Sequence, residues 1–158
     1  MLKRDLSKDL KDKKVNEKDK ELELDLEKNN LTSIPQGVKR LNRLQRLILW
    51  DNNINNISLQ PGDLPNLDEI ELGLNKLTTF PGDLSLISHL KKISVYKNSI
   101  NLVSPDIKNF HRLEELVMRG NKISSLPAEF GNLKTLRKLD LLENQLSSLI
   151  PLLKLISL

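Results

Sequence analysis

Apolar residues recur along this chain with a short period nested inside a long one. Residues 44–54 place Leu44, Leu47, Leu49, Asn52 and Ile54 in the order L-x-x-L-x-L-x-x-N-x-L. The same order returns at Leu67, Ile70, Leu72, Asn75 and Leu77, and continues to Leu136, Leu139, Leu141, Asn144 and Leu146. Asn29, Asn52, Asn75, Asn98, Asn121 and Asn144 each stand 23 residues from the next. Further apolar residues follow at the fourteenth, eighteenth and twenty-first places of each unit, as in Leu126, Phe130 and Leu133. Six units of seven such places give 42 core positions, and only Glu21 and Pro61 among them are neither aliphatic, Met nor Phe. A chain that is 38% hydrophobic does not do this by chance. The L-x-L segment alternates at period 2, so it predicts a strand with leucines inward and the intervening residues outward. One unit cannot bury its apolar face alone, whereas stacked units build a continuous core. Stacked copies of the strand predict a parallel sheet along one face. Returns such as FPGDL, residues 80–84, are too interrupted by Pro and Gly for long helices and predict extended or 3-10 turns on the other face.

A proline follows the fifth apolar position in Ile34-Pro35, Phe80-Pro81 and Leu126-Pro127. It comes one residue later at Pro105 and Pro151 and is missing from that place in the second unit. With the asparagine-centred pattern, these residues resemble the leucine-rich repeat family, in its class of 23-residue repeats with a Leu-Pro step. The resemblance covers roughly residues 21–156, and similar short proteins occur as paralogous sets in bacteria, some of them exported. It implies an α/β fold of the solenoid kind: a curved horseshoe arc with a parallel β-sheet on the concave face and irregular or 3-10 turns on the convex face. Repeats are expected to start at 21, 44, 67, 90, 113 and 136 and to run to 158. It also implies a non-enzymatic protein–protein interaction module.

The six asparagines read as structure. Where the chain turns inward after each strand, backbone groups lose their sheet partners and need buried ones. An Asn side chain supplies both a donor and an acceptor, so a ladder along the stack is expected.

The ends differ from the middle. Leu2, Leu6 and Leu10 form one apolar stripe on the otherwise charged residues 1–20, which predicts a short N-terminal capping helix. That segment carries 8 Lys plus Arg against 5 Asp plus Glu, so +3 of the overall +4 lies there and 17 minus 16 leaves +1 for the repeats. A solvated helix is the plain reading of this charge. The alternative function is binding of a polyanion or membrane surface through Lys3, Arg4, Lys8, Lys11, Lys13 and Lys14. At the other end SSLIPLLKLISL, residues 147–158, is apolar with no polar cap after it, which predicts either a homo-oligomer formed through residues 139–158 or a tail folded back over the last repeat.

Composition narrows the chemistry. Aromatics are 3% of the chain and Cys is absent, which removes disulfides, thiolate metal sites and a Cys nucleophile. No Gly-rich phosphate loop or metal motif is present, and no cofactor is expected. His89 and His111, on the return side of adjacent repeats, are weak surface candidates for a metal. As written, the chain reads as soluble and cytoplasmic; removal of a signal peptide would leave the same sequence, so an exported or surface form fits it equally.

Outward positions suggest the binding surface. The first outward row runs Glu23, Arg46, Glu69, Lys92, Glu115, Lys138, alternating in sign, which reads mainly as register support between strands. The next two rows hold Ile48, Val117 and Arg119 together with Trp50 and Tyr96, the only Trp and Tyr of the chain, and Leu74 follows beside them. Trp50 and Tyr96 lie two strands apart, about 10 Å, and Gly73 is expected to leave a gap between their rings. Ile48, Trp50, Leu74, Tyr96, Val117 and Arg119 have the composition of a binding hot spot. The competing expectation is that the rings lie flat over their neighbours and shield the strands.

Overall fold

The computed structural model describes residues 22–156. Six strands form one parallel sheet in chain order: β1 Leu22–Asp25, β2 Leu44–Ile48, β3 Glu69–Glu71, β4 Lys92–Ser94, β5 Glu115–Val117 and β6 Lys138–Asp140. The register advances one whole repeat per strand, so that Leu47, Ile70, Ile93, Leu116 and Leu139 stand side by side. Turns cover the opposite face: a helical turn at Gln36–Lys39, then 3-10 helices at Gly82–Leu86, Pro105–Asn109, Ala128–Asn132 and Ile150–Leu152. The expected capping helix and the basic residues Lys3 to Lys14 lie outside the described residues.

Hydrogen bonding continues past each strand. Leu49, Leu72 and Val95 donate their backbone N–H to Glu71, Ser94 and Val117 carbonyls at 2.7–2.8 Å. Two residues on, the chain turns through the left-handed region at the same place in every repeat, at Lys28, Asp51, Leu74, Lys97, Gly120 and Glu143. For a residue with a side chain this costs about 1–2 kcal/mol. Hydrogen bonding offsets it, since the same residue donates its N–H to the next repeat, as Leu74 does to the Tyr96 carbonyl at 2.8 Å. The turn swings the following asparagine inward.

The core lies between strands and turns. Leu47, Leu49, Ile54, Leu67, Ile70 and Leu72 are fully buried, each contributing about 1.5–3 kcal/mol by removal from water. Phe80 and Phe110 meet edge to face at 5.7 Å on the turn side. The second repeat departs from the others. Pro61 is exposed, and Leu59 is buried in its neighbourhood, its N–H donating to Asp83 Oδ2 at 3.2 Å. Not every patterned position is core: Leu41 is 38% exposed, and Leu149 and Leu153 are 58% and 57% exposed. Among the described residues the last repeat has a neighbour on one side only, so Leu136, Leu139, Leu141 and Leu146 are partly buried.

Candidate functional site

Three rows of outward side chains cross the concave face, because every second residue of each strand points away from the leucine core. They are fixed in place by the sheet register, which sets Glu23 beside Arg46, Arg46 beside Glu69, Glu69 beside Lys92, and so on to Lys138. The first row forms ion pairs along its length. Arg46 reaches Glu23 at 2.6 Å and Glu69 at 3.4 Å, and it also bonds Glu71 of the second row. Lys92 meets Glu69 at 3.7 Å, and Lys138 meets Glu115 at 3.0 Å. The carboxylate of Glu71, followed by that of Glu23, raises the Arg46 guanidinium above its usual pKa against the opposing cost of burial. Arg46 is the hub of a charge network spanning three strands.

The third row holds the aromatic pair. Trp50 and Tyr96 are both half-buried, and their rings stack at 6.0 Å between centroids and 9° between planes. The expected gap between them is therefore absent. A side chain is longer than the strand spacing, so the indole leans from β2 across Gly73 toward Tyr96 and closes the space. Ile48, Leu74 and Val117 are half-buried nearby. Lys97 places its Nζ over the Tyr96 ring, 5.2 Å from the centroid. Arg119 is half-buried and bonded through Nε to Glu143 Oε1 at 3.1 Å, and through a second nitrogen to the same oxygen. That bond raises the Arg119 pKa and lowers the Glu143 pKa. Lys97 and Glu143 share the row of Leu74 but were not among the expected hot-spot residues. Their signal in the sequence is that each sits one residue beyond the third row, in the left-handed position.

Counted over the three rows, seven carboxylates (Glu23, Asp25, Glu27, Glu69, Glu71, Glu115, Asp140) oppose four cations (Arg46, Lys92, Arg119, Lys138), a net charge of −3. All four cations are engaged in ion pairs. The face is acidic although the chain as a whole carries +4.

Beneath this surface run the asparagines. Asn98 Oδ1 accepts from the Leu77 N–H at 3.0 Å, while its Nδ2 donates to the Leu72 and Val95 carbonyls at 2.9 and 3.0 Å. Asn52, Asn75, Asn121 and Asn144 make the equivalent bonds one repeat apart. Asn29 donates to its own Glu27 carbonyl at 2.7 Å. The side chains thus join each repeat to the one before it.

His89 and His111 both lie on the return side. His89 Nδ1 lies 3.3 Å from an Arg112 nitrogen, and the two rings line separate depressions on the return side. Among the described residues no group of three or more His, Asp and Glu could hold a metal ion, and no helix is long and apolar enough to cross a membrane.

A family model described as Leucine Rich Repeat matches residues 112–133. A solved leucine-rich repeat protein of Leptospira interrogans is 31% identical with a TM-score of 0.72, over 84% of this chain and 34% of its own. Two internalins of Listeria monocytogenes share the fold at 23% identity. Internalin F, TM-score 0.58, aligns over 75% of this chain and 34% of its own; internalin C2, TM-score 0.54, aligns over 84% and 76%. The chain spans about a third of the length of the first two. No curated protein sequence matches it. Leucine-rich repeats generally serve protein–protein interaction and are generally not catalysts. With six strands in register at a 23-residue period, a matching family model and solved relatives of the same architecture, the chain belongs to the leucine-rich repeat family.

Proposed function

We propose that this protein is a non-enzymatic binding module that holds a partner protein on its concave face, through Ile48, Trp50, Leu74, Tyr96, Val117 and Arg119. The observation that carries the reading is the half-buried Trp50–Tyr96 stack at the centre of an otherwise charged sheet face. Large rigid rings on a rigid support give contact area at little cost in conformational entropy, which is why such residues anchor interfaces. The four cations of the three rows are already paired and those rows are net acidic, so a complementary partner brings apolar groups ringed by lysine or arginine. Affinity capture from native extract tests this, with the wild type set against Trp50→Ala/Tyr96→Ala. Recovery of a partner by the first and its loss by the second is expected. Equal recovery by both moves the contact to another surface.

A second contact is proposed on a separate observation. Leu142, Leu149, Ile150 and Leu153 are 57–71% exposed near β6, which among the described residues is paired on one side only, an apolar surface suited to self-association through residues 139–158. Light scattering at rising concentration tests it: the wild type should grow in mass and Leu149→Glu/Leu153→Glu should not. A wild type that stays monomeric defeats the proposal.

A further inference from the structure

Glycine at position 73 is not required by the backbone. Its φ lies outside the left-handed region, and in the other repeats the same place holds Glu27, Trp50, Tyr96, Arg119 and Leu142. Gly73 lies just past β3, where a glycine adds backbone freedom and gives up side-chain contacts unless something must approach its backbone closely. What approaches here is a ring. A Cβ built on Gly73 would stand 2.0 Å from Trp50 Nε1 and 2.7 Å from both Cδ1 and Cε2, and those three are its nearest neighbours. All three belong to the Trp50 side chain.

We infer that Gly73 is the positioning residue of the concave binding surface: the missing side chain lets the Trp50 indole cross the third repeat just past β3 and stack on Tyr96, turning two separate rings into one preformed plate. The inference rests on the proposed concave-face function and says how that surface is shaped. With any side chain at 73 the indole must turn off Tyr96. The partner would then meet two mobile rings instead of a fixed pair, and the ordering would be charged against its affinity. Gly73 itself is buried beneath the ring, so its effect on a partner passes through Trp50.

Trp50 is the only tryptophan of the chain, so its spectra report this site alone. In Gly73→Ala, the near-ultraviolet circular dichroism of the immobilised indole is expected to disappear and iodide quenching of Trp50 to rise. Tm should stay within about 4 °C of wild type, since only a side chain has to move. Gly82→Ala, whose Cβ meets nothing within 4 Å, should change none of these. Gly120→Ala, at φ +73°, should lower Tm and leave the stack in place. A Gly73→Ala variant that keeps the wild-type dichroism and quenching overturns the assignment.

Should Gly73→Ala fold poorly, stability in the Trp50→Ala background decides. With the indole gone the added methyl has room, so Gly73→Ala should there leave Tm unchanged or raise it. An equal loss of Tm with and without Trp50 overturns the inference. For binding, Gly73→Ala should weaken capture of the partner about as far as Trp50→Ala/Tyr96→Ala does; loss of the stack with capture unchanged contradicts a shaping role. If instead the double ring variant keeps the partner, the concave-face reading itself fails while the Gly73 geometry still stands on the spectra.

Discussion

Two rows run across the same six strands at the same 23-residue period, and they obey opposite rules. One holds Asn29, Asn52, Asn75, Asn98, Asn121 and Asn144, the same residue in every repeat. The other, two residues earlier, holds Glu27, Trp50, Gly73, Tyr96, Arg119 and Leu142, a different residue in every repeat. The asparagines meet an identical problem each time, an inward turn whose carbonyls and N–H groups need partners, and Asn52, Asn75, Asn98, Asn121 and Asn144 solve it with bonds to the repeat before. The outward row meets solvent, where the stack imposes no common demand. In a repeat protein, identity at the period marks what the fold needs, and departure from it marks where a surface is free to specialise.

The largest expected break in this comparison is in the buried row. Asn98→Ala leaves the Leu77 N–H and the Leu72 and Val95 carbonyls without their partner, and should cost about 1–3 kcal/mol in a denaturant melt. Asn29→Ala should cost less, since among the described residues its amide serves only the Glu27 carbonyl. Equal losses at the two positions would show that the asparagines act locally and not as links between repeats.

Next comes the hub of the charged row. Arg46→Met strips Glu23, Glu69 and Glu71 of their common cation. The side chain is 37% exposed and screened by water, so about 0.5–1 kcal/mol should be lost, shrinking further in 1 M salt. A loss that salt does not reduce would point to packing of the arginine stem instead of its charge.

On the outward row the prediction inverts. Trp50→Ala/Tyr96→Ala should melt close to the wild type while its partner is lost, because half-buried rings contribute to binding more than to the core. The smallest effect belongs to Glu143. Its pKa is lowered by Arg119, so its ionised form adds to stability above the ordinary carboxylate pKa, and the contribution fades as pH falls through the depressed value. An NMR titration should place Glu143 below a free glutamate in the wild type and raise it in Arg119→Ala. An unchanged titration would remove the ion pair from the account.

The fold was legible because its demands recur: period, register and inward leucines all follow from one template applied six times. The place of the outward rows was legible for the same reason, since Trp50 and Tyr96 fall where alternation puts them. What their side chains do was not. Ring direction depends on what stands next door, and the decisive neighbour is an absent side chain at Gly73, which reads in sequence as a space and in structure as a space already filled. Arg119 was legible as outward but not as engaged, because its partner Glu143 sits one repeat on and one residue further. Leu41, Leu149 and Leu153 fit the template and stay exposed, since a pattern records which faces could be buried and a neighbour must still cover them.

The central claim is that a partner covers the plate formed by Trp50 and Tyr96. The most direct measurement is iodide quenching of Trp50 with and without the protein recovered by capture. The account predicts that quenching falls to a low, saturable limit as that partner is added. Quenching that stays at its free value while the partner is demonstrably bound would contradict it.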